Sequence, residues 1–264
     1  MKSLLKNKDS LKALVEPIES SSKIFNALKL STSFVQEFDE DGIYVGNADK
    51  DNTVLVSYRI NVSDVFEEYE IIKDKIGIWD TNQFTKIFKK YLKSYDGDDA
   101  IHIDFQDNKY IISSSSEEDV FHTASVKQIR QGSRGVDTSQ LKELCEFDVE
   151  DSDLIRILSN IDVYNTQEVV TFVGDSETGE IMVKVHSPDV PNQNSGSSVI
   201  KDADISSDFE VNFGKTKIKC VLETNDGFRV KLYAYRGVPN IMHFYYDKGG
   251  YDMNYYISPN KPKK

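Results

Sequence analysis

Lysines, rather than nucleophiles, are the residues of this sequence that are spaced to act together. Lys86, Lys89, Lys90 and Lys93 stand between Thr81 and Lys93, an interval without a carboxylate. Lys215, Lys217 and Lys219 occupy alternate positions, with no acid before Glu223. Lys23, Lys29 and Arg156 lie in two further segments that read as helical. The chain as a whole has 44 acidic and 32 basic residues and a formal net charge of −12. Scattered charge would not leave such segments free of acid. A row of ammonium groups offers phosphates a sequence-independent, salt-sensitive surface. The same row on one helix is also what an ordinary solvated face looks like, and charge alone leaves both readings open.

Residue types that would do covalent or metal chemistry are not arranged for it. The sequence contains no G-x-S-x-G, G-x-x-x-x-G-K-[ST], H-E-x-x-H or C-x-x-C. His102, His122, His186 and His243 fall mostly at alternating strand positions. The acidic clusters at 39–41, 49–51 and 96–99 lack the twelve-residue calcium-loop spacing and read as turns. Cys145 and Cys220 are too few for a disulfide framework and read as small core residues in a reducing compartment, cytoplasmic or nuclear. The N-terminal stretch has no signal-peptide character, and no run approaches the ~20 apolar residues of a membrane span. The expectation is a non-enzymatic protein with no cofactor, no metal and no membrane partner.

The elements that must position the lysines are mostly strands. Ile101, Ile103 and Phe105 alternate with polar residues, as do Ile181, Val183 and Val185, and Phe228, Val230 and Leu232. Period-two alternation puts one face in a core and one in water. Turn signals separate the runs, among them Asp39-Glu40-Asp41-Gly42 and Asn225-Asp226-Gly227. Four short segments read as helices: 21–30, 81–93, 153–161 and 213–222. The second has Phe84, Ile87, Phe88 and Tyr91 on one face, Asp80 as its cap and Trp79 placed to staple onto Phe84. The order strand, helix, strands, helix, strands occurs twice, at an interval of about 130 residues. A polar stretch with two glycines, KQIRQGSRGVDTSQLKE, falls between the copies. The expectation is an α+β chain of two similar domains, 1–127 and 144–264, joined by a linker at 128–143.

Several segments, in order, resemble the two-domain DNA sliding clamps of eukaryotes, archaea and T4-type phages, the family of proliferating cell nuclear antigen. Lys23 to Lys29 resembles the lysine-flanked first helix, and 38–48 (FDEDGIYVGNA) the hairpin after it. Thr85-Lys-Ile-Phe-Lys89 resembles the family's S-K-I-L-K helix, and Asn212-Phe213 the start of the fourth helix. Val238-Pro239 with Tyr255-Tyr256-Ile257-Ser258-Pro259 resembles V-P…Y-Y-L-A-P. There are departures. Ser159 stands where a second basic residue is common, and residues 1–10 and 188–198 read as additions. The linker has no apolar anchors beyond Ile129 and Val136.

The resemblance implies antiparallel sheets outside, two helices per domain inside, and three chains in a six-domain ring around duplex DNA. Lys23, Lys29, Lys86, Lys89, Lys90, Lys93, Arg156, Lys215, Lys217 and Lys219 would then face DNA. The strand near 120–126 would pair with that near 197–201 of the next subunit. DNA polymerase and a clamp-loader ATPase would dock by short peptides in an apolar pocket floored by Val238, Pro239, Tyr256, Ile257, Ser258 and Pro259, with Thr53 and Leu55 at its rim. A phage member would act in its host's cytoplasm. A β-rich structural protein, such as a virion component, is the other reading; it accounts for strands and acidity but not for helices that carry only lysine.

Overall fold

The computed structural model describes residues 2–28, 32–95, 100–106, 108–129, 132–187 and 194–260. The acidic turn at 96–99 and the first part of the 188–198 segment lie outside them. The chain falls into two compact units, one drawn from 1–48, 55–135 and 247–253, the other from 49–54, 136–246 and 254–264. In chain order the first half has β1 (Lys2–Leu5), α1 (Lys8–Ala27), β2 (Phe34–Phe38), β3 (Gly42–Ala48), β4 (Val54–Asn61), α2 (Val62–Val65), β5 (Phe66–Glu70), β6 (Lys75–Ile78), α3 (Thr81–Ser94), β7 (His102–Gln106), β8 (Lys109–Ser113) and β9 (Glu118–His122). A single 3-10 turn at Val126–Gln128 follows. The second half has β10 (Lys142–Val149), α4 (Asp151–Val163), β11 (Val169–Asp175), β12 (Glu180–His186), β13 (Gly196–Ile200), β14 (Asp204–Ile205), β15 (Phe209–Gly214), α5 (Lys215–Leu222), β16 (Phe228–Tyr235), β17 (Val238–Asp247) and β18 (Tyr251–Ile257).

The repeat read from the sequence extends to strand pairing. Leaving aside the one-turn α2, each half runs strand, helix, five strands, helix, three strands. β1 pairs with β5 and β7, and β10 pairs in the same way with β14 and β16. One sheet of the first unit has the order β5-β1-β7-β8-β9, and one of the second has β13-β12-β11-β15. Pairing in these sheets is antiparallel, and the alternating strands bury the side chains expected of them. Ile103, Val183 and Leu232 are all essentially inaccessible. In the first unit, α3 closes the core with aromatics: Phe84 lies 4.9 Å from Phe88, 5.2 Å from Phe121 and 5.3 Å from Tyr110.

The N-terminal expectations need correction. Residues 1–10 are not an addition, because β1 is an inner strand with Ser3 opposite both Tyr69 and Ile103. The first helix starts at Lys8 rather than near 21 and runs for 20 residues. Asn7 caps it, accepting from Ser10 N at 3.0 Å. Leu11, Leu14, Val15 and Ile18 recur at helical spacing and are buried. Pro17 and the serines 20–22 interrupt that apolar pattern, yet all four are buried within the helix. Ser22 returns its hydroxyl to the Ile18 carbonyl at 2.7 Å.

The other helices shift by a few residues. α4 is two residues longer at each end than expected, and Glu150 and Asp153 form a capping box at its start. Phe213 does not start the fourth helix; it lies on β15 opposite Val170, and α5 begins at Lys215. Asp80 caps α3 as expected, accepting from Gln83 N at 2.9 Å. Trp79, however, stacks on Phe121 at 6.2 Å and donates its indole N–H to His122 O at 2.8 Å, while half exposed.

Candidate nucleic-acid interface

The lysines do not form one uniform lining, and their engagement differs between the two units. In the first unit, α1 and α3 pack side by side. Lys86, Lys89 and Lys93 recur on α3 at i, i+3 and i+7, one stripe of a 3.6-residue helix. Lys86 and Lys93 are exposed and make no ion pair with a described carboxylate. Lys23 of α1 is likewise exposed. Lys89 pairs with Glu19 of α1 at 2.8 Å. Lys90 leaves the stripe for the start of β9, meeting Glu117 at 2.5 Å and Asp119 at 2.7 Å. Hydrogen bonds to Asp119 and Glu117 hold its ammonium well above the ordinary lysine value. Two acids of the serine-rich stretch SSSSEED at 113–119 thus anchor Lys90. Lys29 lies outside the described residues.

In the second unit the basic residues are mostly engaged. Arg156 pairs with Asp153 one turn earlier on α4. That helix carries Asp151, Asp153 and Asp162 against one arginine. Lys219 meets Asp162 at 2.6 Å and Glu223 at 3.4 Å, and the Asp162 hydrogen bond raises its pKa. Lys215 donates to the Asn165 carbonyl, and burial, helped by Lys219, lowers its pKa. Lys217 turns to Thr53 Oγ1 at 2.7 Å. The formal charge of α1 plus α3 is (3 − 3) + (4 − 0) = +4. For α4 plus α5 it is (1 − 3) + (3 − 0) = +1. Free positive charge is therefore concentrated on the helices of the first unit.

The peptide-pocket residues separate. A hollow of about 650 Å³ in the second unit is lined by Thr53, Pro239, Ser258 and Pro259, together with Lys217 and Asn240 among others. Its surface is about equally polar and apolar, although only its prolines lack a hydrogen-bonding side chain. Ser258 N donates to Thr53 O at 2.9 Å, which fixes one wall. Ile257 has no accessible surface and belongs to the core. Leu55 is buried on β4, and Tyr256 lies flat on His243 with ring centroids 4.3 Å apart. Val238, at the start of β17, is 66% exposed but does not line the hollow.

Sequence reading missed how the linker's first part is held in the first unit. Gly132 and Gly46 meet backbone to backbone. A Cβ on Gly46 would stand 1.9 Å from Ser133 O, and one on Gly132 would stand 2.0 Å from Gly46 O. Arg134 sits 4.0 Å above the Tyr44 ring and reaches Glu37 at 2.9 Å and Asp39 at 3.0 Å. Burial pushes the Glu37 carboxyl up, but Lys75 and Arg134 together outweigh it, so its pKa falls below the usual value. Ile129, the expected apolar anchor, is buried. The signal available in sequence was the pair of glycines flanking one arginine. Among the described residues, no group of three His, Cys, Asp or Glu is placed to hold a metal.

A repeated order of antiparallel strands with two main helices per repeat defines the sliding-clamp fold, and the chain has that fold. Solved structures resemble it over nearly its whole length. Proliferating cellular nuclear antigen from Entamoeba histolytica superposes with a TM-score of 0.73 at 15% identity, covering 98% of each chain. PCNA from A. fulgidus, solved with the C-terminal region of FEN-1 bound, gives 0.72 at 14% identity and covers 100% of each. The PCNA2–PCNA3 complex from Sulfolobus tokodaii gives 0.68 at 17%, covering 98% of this chain and 99% of that one. No protein-family profile matches the sequence, and no curated protein sequence matches it.

Proposed function

We propose that the protein is a DNA sliding clamp, a processivity factor that encircles duplex DNA and tethers a polymerase to it. The observation that carries this reading is the two-way coverage: the clamp fold accounts for 98% of this chain and 98% of the Entamoeba clamp. The stripe of Lys86, Lys89 and Lys93 supports it, because sliding needs phosphate contacts without base readout. A net charge of −12 is compatible with this when the basic groups are segregated. Binding by enclosure requires no catalytic residue.

The ring in this proposal is a homotrimer, closed by heterologous contacts. β9 and β13 are end strands of their sheets, so each offers a ladder of backbone groups to a second copy. Val120 on β9 is 44% exposed, as a residue awaiting a neighbour can be. Polymerase and loader would dock by peptide tails, in the way the A. fulgidus clamp carries the C-terminal region of FEN-1. The hollow at Thr53, Pro239, Ser258 and Pro259 is the proposed receptor, and its mixed lining favours a tail that both packs on the prolines and hydrogen-bonds at this point. The compartment proposed is cytoplasmic or nuclear. Light scattering tests the assembly: the expected mass is three times 30.1 kDa. A monomer at high concentration, or an open polymer, would contradict the ring.

A further inference from the structure

The acid-free stripe of α3 faces an acid on the neighbouring helix. A groove of about 320 Å³ between α1 and α3 is lined by Lys23, Lys86 and Lys89, by the amides of Asn26 and Asn82, and by Glu19. Three cations and two amides are a donor set suited to a phosphodiester. Glu19 does not belong in such a set. Its carboxylate sits on Lys89 at 2.8 Å, and both side chains are about a third exposed or more, so the pair opens at little cost. A carboxylate and a phosphate oxygen compete for the same ammonium.

We propose that Glu19 is a built-in competitor of the DNA backbone at this groove, engaging Lys89 when no phosphate is present and yielding it when one enters. The inference rests on the clamp reading and adds a regulator to it: Glu19 keeps the contact weak, as a ring that must slide requires. Lys23 and Lys86 attract the phosphate without competition, since neither pairs with a described carboxylate. The exchange is of partners only, with no bond made or broken.

The test uses the full-length protein and a fluorescent linear duplex, with binding followed by anisotropy across a potassium chloride series. Removing a unit charge about 7 Å from a phosphate in water is worth roughly a threefold gain in affinity at low salt. Glu19→Gln should therefore bind at least about threefold more tightly. Its log-log salt slope should steepen by about 0.9 per phosphate gained. Measured against Lys89→Gln, adding Glu19→Gln should gain no more than that roughly threefold through-space effect, because the remainder of the gain passes through the freed Lys89. If Lys23→Glu/Lys86→Glu loses binding while Glu19→Gln leaves affinity and slope unchanged, or weakens binding, the competitor role is wrong and the clamp reading stands. If the lysine reversals also change nothing, the groove does not meet DNA and the failure lies in the clamp reading. Circular dichroism of each variant reports whether the fold is retained.

Discussion

His243 shows how burial couples a single side chain to the stability of the fold. It is pressed against Tyr256 and hydrogen-bonded to Asn254 at 2.8 Å. Burial lowers its pKa, the Asn254 contact opposes this in part, and nearby Lys231 lowers it further. The folded chain therefore binds this proton less readily than the unfolded chain, whose histidine titrates near ~6.5. Unfolding takes up the proton below that pH, so stability should fall as pH drops through about 6.5 toward the folded value. Urea denaturation at about pH 7.5 and about pH 5.5, either side of that value, checks this: His243→Gln should lose less stability between the two than the parent. Ile257 is the other telling residue. Resemblance places it on a docking surface, but it is fully buried. Ile257→Ala should cost about 2–5 kcal/mol in a urea melt, whereas Pro259→Ala, at a half-buried residue lining the hollow, should cost far less. Equal, small losses would return Ile257 to the surface. Cys145 is set apart from reactive chemistry, since burial pushes its thiol up to about 12.

Among the elements, α3 concentrates the proposed function. Lys86→Glu/Lys93→Glu should change stability by no more than ~0.5 kcal/mol, because both side chains are exposed. The same variant should bind duplex more weakly with a shallower salt slope, and unchanged salt dependence would remove α3 from the interface. α3 and the alternating strands were legible in the sequence because their period and their caps are local. α1 was half legible. Leu11, Leu14, Val15 and Ile18 carry a helical period, but Pro17 and three serines break the apolar pattern at positions that tertiary packing buries. β1 was illegible, because four residues show no period and its strand character comes from β5 and β7 on either side. The ion pairs were beyond reach for another reason. Lys90 finds Asp119, and Lys219 finds Asp162, across 29 and 57 positions of chain. A count of lysines on a helix therefore overstates its free charge, as Lys90 on α3 and Lys219 on α5 show. The linker's attachment through Gly46, Gly132 and Arg134 joins segments distant in sequence, so the glycines flanking Arg134 mark the place but not the partner.

At the scale of the whole molecule, the order of strands and helices is duplicated, and β9 and β13, at the ends of their sheets, are the strands through which the proposed ring would close. A ring makes a claim that no pairwise contact makes: retention on DNA should depend on the topology of the DNA rather than on affinity. The direct measurement loads the protein onto nicked circular duplex with a clamp-loader ATPase, isolates the complex at a salt concentration that abolishes ordinary phosphate binding, and cuts half of the sample once with a restriction enzyme. Gel filtration then separates bound from free protein. The protein should stay with the circle and leave the linear duplex by sliding off its ends. Equal loss from both forms, or equal retention on both, would contradict the clamp.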